Sequence, residues 1–138
     1  MGTRKQVKTG LRVGGGPEPG YLWGVEFLDI ARDEAMGFLS EPQYQHLVDQ
    51  MRSLASEDDP THPKTVSVDA IEDFHEMREK GGPLGKLNVR VFFLLQKERR
   101  MIVVIGAIKK ENDGPTPTGD RYRMKRRKRK LLQGSLLE

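Results

Sequence analysis

Apolar residues recur along this chain with two different periods. Tyr44, Leu47, Val48, Met51, Leu54 and Ala55 follow i, i+3, i+4, i+7, i+10, i+11, the spacing of one buried helix face. Ser40 precedes the run as an N-cap, Gln43 supplies the other half of a capping box, and Pro42 lies in the first turn, where its missing N–H costs nothing. Upstream, Tyr21–Ile30 alternates and sets Trp23, Val25 and Phe27 on one face, which predicts a first strand. The stretch ARDEAMGFL that follows reads as a short helix, and the polar loop Ser56–Pro63 ends the long one. Beyond it the pattern predicts a short strand or extended link over Thr65–Ile71, a strand over Asp73–Arg78, and a turn at Gly81–Gly85. Strands over Leu87–Gln96 and Met101–Lys109 follow, joined through KERR as a hairpin. A loop ENDGPTPTGD leads to a helix over Arg121–Leu132.

This order predicts an α+β fold. A small twisted, mainly antiparallel sheet carries two N-terminal helices on one face, leaves the other partly open, and ends in a basic C-terminal helix. One domain is expected over residues 21–132, after a Gly-, Lys- and Pro-rich extension over residues 1–20 that reads as disordered. Residues 133–138 form a tail.

Composition narrows the class. The longest apolar run, Met101–Ile108, falls well short of the roughly 18 residues of a membrane span. The N-terminus has no apolar core of a secretory signal. Zero cysteines among 138 residues leave no disulfide and no cysteine-based zinc site, which fits the cytoplasm. No two of the three histidines have metal-ligand spacing, so neither a metal nor another cofactor is expected. The net charge of +4 conceals an asymmetry: residues 1–85 hold 9 Lys+Arg against 15 Asp+Glu, and residues 86–138 hold 15 against 5. A basic half of this kind suits a polyanion partner.

FHEMR (Phe74–Arg78), VRVFF (Val89–Phe93) and VVIGAIKK (Val103–Lys110) occur in that order, and a Thr116–Pro117 pair precedes the last helix. In this order and spacing the chain resembles the RelE/HigB branch of the RelE/ParE toxin superfamily, from about Val25 to Leu132. Met124 and Arg127 have the spacing at which that family's final helix carries an Ala and then an Arg. The resemblance implies a RelE-like fold and a ribosome-dependent mRNA endonuclease, the toxin of a type II toxin–antitoxin pair. Its partners would be mRNA on the ribosome, with contacts to rRNA, and a cognate antitoxin that often wraps the toxin with an acidic segment. No membrane partner is implied.

Metal-free RNA cleavage needs a base for the 2′-OH, cations for the phosphate oxygens and an acid for the leaving 5′ oxygen. Glu76 and Arg78 are two apart on a strand and so share a face. Arg90 reaches that face if the glycine turn sets the register. Glu76, Arg90 and Lys110 are therefore the catalytic candidates. Arg78, Lys109, Tyr122, Lys125 and Arg127 are the RNA- and phosphate-binding ones, Tyr122 by stacking. Only one of Lys109 and Lys110 points into the site. Blander roles suit the same residues: a solvated strand face or cross-strand pair for Glu76 with Arg90, edge protection for the lysines, a solvated charge run for the helix. His75 reads as a packed histidine, His46 as a surface one. Two other functions fit the pattern: a ParE-like gyrase-inhibiting toxin without nuclease activity, and a non-catalytic basic RNA- or ribosome-binding module.

Overall fold

The computed structural model describes residues 17–134. In chain order they form β1 (Gly24–Phe27), α1 (Asp29–Met36), α2 (Glu41–Ala55), β2 (Ser67–Ile71), β3 (Phe74–Lys80), β4 (Asn88–Gln96), β5 (Met101–Lys110) and α3 (Thr118–Leu132). The five strands make one sheet in the order β1-β5-β4-β3-β2, with β1 parallel to β5 and every other pair antiparallel. The fold is thus α+β, as the pattern predicts. No helix among the described residues is long and apolar enough to cross a membrane.

The capping box forms in full: Ser40 Oγ accepts the Gln43 N–H at 3.3 Å, and Gln43 Oε1 accepts the Ser40 N–H at 2.9 Å. All six periodic residues of α2 are buried. Trp23, Val25 and Phe27 are buried too, and Phe27 meets Tyr44 edge-on at 5.7 Å. The last carbonyl of α2, on Ala55, accepts the N–H groups of both Leu22 and Trp23 at 3.0 Å. This satisfies an end that would otherwise lack partners and seats β1 beside the helix.

Several elements differ from the pattern: β3 runs on to Lys80, past the expected Arg78, and α1 spans Asp29–Met36 rather than starting at Ala31. The first strand stops at Phe27, because Ala31 and Ala35 bury one side of α1 while the apolar Ile30 faces outward. Ser67–Ile71 pairs with β3 along its whole length, so this segment is a strand rather than an extended link. The last helix begins at Thr118, three residues before Arg121. Within the N-terminal extension, residue Glu18 accepts the Tyr21 N–H at 3.1 Å and lies 3.8 Å from Arg52. Residues 1–16 and 135–138, on which the rest of the extension and tail expectations fall, lie outside the described residues.

The face away from α1 and α2 is partly covered by α3, which packs tightly onto β5 at Gly106. A Cβ built there would run into Met124 Sδ and Cε and stand 2.8 Å from Arg127 Nη1. Met124 is fully buried and Arg127 is tied down, so neither yields freely. Gly106→Ala should therefore cost about 1–3 kcal/mol by overpacking, read as a lowered urea midpoint with an unchanged m-value. A cost near zero would mean that α3 is loosely seated.

Candidate active site

The turn after β3 sets the register of the site. Gly81 and Gly85 have φ of +80° and +62°, backbone that residues with a Cβ adopt at a cost. The turn they make brings Arg78 directly opposite Arg90, and Glu76 opposite Phe92. Cross-strand partners project from the same face, so two guanidiniums stand side by side and repel. Glu76 answers them. Arg78 Nε donates to Glu76 Oε2 at 2.9 Å, and Arg90 Nη1 lies 3.9 Å from the same oxygen.

The loop between β5 and α3 closes over this cluster. Thr116 Oγ1 accepts from Arg90 Nη1 at 3.0 Å and donates to Glu76 Oε1. The Gly114 carbonyl accepts from Arg90 Nη2 at 2.6 Å. Asp113 pins the loop from outside, accepting from Lys80 Nζ at 2.9 Å and from Asn88 Nδ2 at 3.0 Å. Those two hydrogen bonds, with the Lys80 charge, hold its carboxyl below the usual carboxylate range. Arg78 also faces Asp69 at 3.4 Å. Glu76 is 1% exposed and Arg90 0%. Burial pushes the Arg90 guanidinium below its ordinary pKa, against the pull of Glu76. Its Nε is buried with no partner among the described residues, leaving one donor unused.

A single extra residue decides which terminal lysine joins this face. The β4–β5 pairing shifts register between Phe92 and Phe93, with Phe92 opposite Gly106 but Phe93 opposite Val104. The bulge at Ile105 flips the parity of everything beyond it. Asn88 therefore pairs with Lys110, and both share the face of Arg90, while Lys109 pairs with Val89 on the helix-covered side. Without the bulge Lys109 would have faced the site.

The other candidates scatter along α3. Tyr122 is exposed on its outer surface. Lys125 Nζ lies 3.4 Å from Glu72. Arg127, expected on RNA, is instead buried in a clamp: its two terminal nitrogens donate to Glu34 Oε1 and Oε2 at 2.8 and 2.7 Å, and Nη1 also donates to the Ile105 carbonyl at 2.9 Å. Glu34 Oε1 accepts the Ala107 N–H at 3.1 Å. Because β1 pairs with β5 only as far as Val104, this clamp satisfies backbone groups that the sheet leaves open. Two histidines were also anticipated: His75 stacks on Phe93 at 5.7 Å, a packed ring, whereas His46 is not a bare surface residue and lies 3.1 Å from Glu79 Oε1.

Burial alone would raise the Glu34 pKa, but the Arg127 and Ala107 hydrogen bonds and the Arg127 and Arg123 charges outweigh it and hold the carboxyl low. A depressed carboxyl stabilises the fold above its unfolded pKa of about 4.3 and loses that contribution as the pH falls through the folded value. Wild-type stability should therefore fall below about pH 4 more steeply than that of Glu34→Gln. At pH 7 the variant should be less stable by about 2 kcal/mol, because Arg127 is left without its anion. Parallel pH curves for the two proteins would contradict the clamp.

Sequence reasoning missed Thr116, Gly114 and Glu34 as partners. The Thr–Pro pair marked the first only as a motif. Nothing marked Glu34, which lies 93 positions from Arg127. An open cleft of ≈ 1000 Å³ sits at the other end of β4, beside Trp23, His75 and Leu95. Its cations Lys97, Arg99, Arg100 and Lys128 are matched by Asp58, Asp59, Asp73 and Glu98, so it lacks the positive excess of a phosphate site. Among the described residues, no three His, Cys, Asp or Glu side chains gather where they would hold a metal ion. Compared with protein-family models and with curated proteins, the sequence matches none of them.

Proposed function

We propose that this chain is a ribosome-dependent endoribonuclease that cuts mRNA by attack of a 2′-OH on the adjacent phosphate, the toxin of a toxin–antitoxin pair acting in the cytoplasm. The observation that carries this reading is the gathering of Glu76, Arg78 and Arg90 on one sheet face, with an Arg90 donor unspent. Glu76 takes the proton of the 2′-OH as that oxygen bonds to phosphorus. Arg78 and Arg90 hold the non-bridging oxygens, for which their planar forks are suited. Lys110, on the same face, gives a proton to the 5′ oxygen as its bond to phosphorus breaks. The products are a 2′,3′-cyclic phosphate and a 5′-OH.

The Thr116 hydroxyl stands where a 2′-OH would stand, donating to the carboxylate and accepting from the guanidinium. Substrate therefore enters only when the loop over residues 111–117 withdraws. Its withdrawal also takes Asp113 away, leaving Arg78, Lys80, Arg90 and Lys110 against Glu76 and Asp69 alone. The chemistry is tested by the ends of the cut mRNA. A 2′,3′-cyclic phosphate is expected; a 3′-OH opposite a 5′-phosphate would overturn the route.

The burial of Glu76 and Arg90 favours a second reading. In it the network only anchors the loop, and the chain binds RNA without cutting it. Glu76→Gln separates the two, since it removes the base but leaves a binding surface intact.

A further inference from the structure

Eight of the ten residues from Arg121 to Lys130 are cations, and the fold divides them into two sets. Arg121 and Lys125 face Glu72 at 3.8 and 3.4 Å. Arg123 pairs with Glu34 and Asp120 at 2.6 and 2.8 Å, Arg127 with Glu34 at 2.7 Å, and Lys128 with Asp73 at 3.3 Å. Arg126, Arg129 and Lys130 are exposed and have no carboxylate partner among the described residues. With Tyr122 they occupy i, i+4, i+7 and i+8, one stripe of the helix. The stripe lies opposite the seam of Met124, Arg127 and Leu131 that is buried against the sheet. Tyr122 is 60% exposed, an aromatic ring that the packing does not use.

We infer that this stripe is a track for single-stranded RNA leading away from the cleavage site, with a base stacked on Tyr122 and phosphates on Arg126, Arg129 and Lys130. The choice of RNA rests on the proposed function. The chemistry supports it: an exposed aromatic beside unpaired cations is how single strands are held without sequence preference, whereas an acidic protein partner needs the charge and not the ring. From Tyr122 to Lys130 the stripe runs about 12 Å. Its Tyr122 end is the one nearest Thr116 in the chain, where α3 starts.

The test uses the full chain and a dye-labelled 12-nucleotide 2′-O-methyl RNA, which cannot be cleaved, without ribosomes, followed by fluorescence anisotropy over a salt series. Arg126→Gln, Arg129→Gln and Lys130→Gln combined should flatten the plot of log K against log salt by about 2, roughly 0.7 for each lost phosphate contact. Arg121→Gln, Arg123→Gln and Lys128→Gln combined remove as many charges from the paired set and should leave the slope nearly unchanged. Tyr122→Ala should weaken binding about tenfold, with Tyr122→Phe close to wild type. Equal slopes for both charge variants would overturn the track. Indifference to Tyr122, with a poly-glutamate peptide bound as tightly as the RNA, would overturn it in favour of an acidic protein partner. Since this RNA cannot be cut, RNA bound on the stripe alongside intact translated mRNA would sink the nuclease reading alone, and the reverse result would sink the track alone.

Discussion

Arg90→Met should destabilise the protein by about 3–5 kcal/mol, the usual effect of removing one partner from a buried ionic pair. Methionine fills much of the space but offers no donor. Glu76, 1% exposed, would keep only the half-exposed Arg78 and the Thr116 hydroxyl, and the Gly114 carbonyl would lose its guanidinium. The cost is that of a stranded carboxylate rather than of a lost attraction. Replacing both charges, Arg90→Met with Glu76→Leu, should therefore recover much of the loss, because no buried charge is then left alone. Urea unfolding of the two single variants and the double one gives the coupling directly. The loop over residues 111–117 should also become sensitive to limited proteolysis in Arg90→Met, since two of its anchors are gone. A cost under about 1 kcal/mol, typical of an exposed pair, would mean that the network does not hold the loop.

Glu76→Gln should lower mRNA cleavage by about 100- to 10,000-fold, the range that general base catalysis contributes, in a protein that is also less stable, because Arg90 loses its buried counter-charge. The amide has the shape of the carboxylate and still accepts the Thr116 hydroxyl, but it cannot take a proton at neutral pH. Far-UV circular dichroism and the urea midpoint establish that the variant is folded before its activity is compared. Undiminished cleavage in a folded Glu76→Gln protein would remove the base from the mechanism and leave the network as a loop anchor.

What could be read from the sequence follows from the range of the forces involved. The capping box of α2 and its six buried residues are set by neighbours three and four apart, and they stand as the periodicity implies. The sharing of a face by Glu76 and Arg78 is equally local. Arg90 joined them because three glycines with positive φ close the turn at Gly81–Gly85, a signal visible in composition. The choice between Lys109 and Lys110 was not visible, because it depends on one unpaired residue at Ile105. That bulge forms where α3 presses Met124 onto Gly106, a contact made across 18 positions of chain. Arg127 was misplaced for a similar reason. Spacing alone set it on the basic helix, and only the folded chain brings Glu34 and the open edge of β5 to meet it. Five of the eight cations in that helix turn out to be paired with the four carboxylates of Glu34, Glu72, Asp73 and Asp120, so the charge run is smaller in effect than in count.

The most direct measurement is primer extension on mRNA from a cell-free bacterial translation reaction containing the purified protein, with a parallel reaction lacking ribosomes. Cuts confined to translated mRNA, present with the wild-type chain and lost with Glu76→Gln, are the expected result. Unbroken mRNA with normal protein synthesis would contradict the nuclease reading and leave the cationic face as a binding surface.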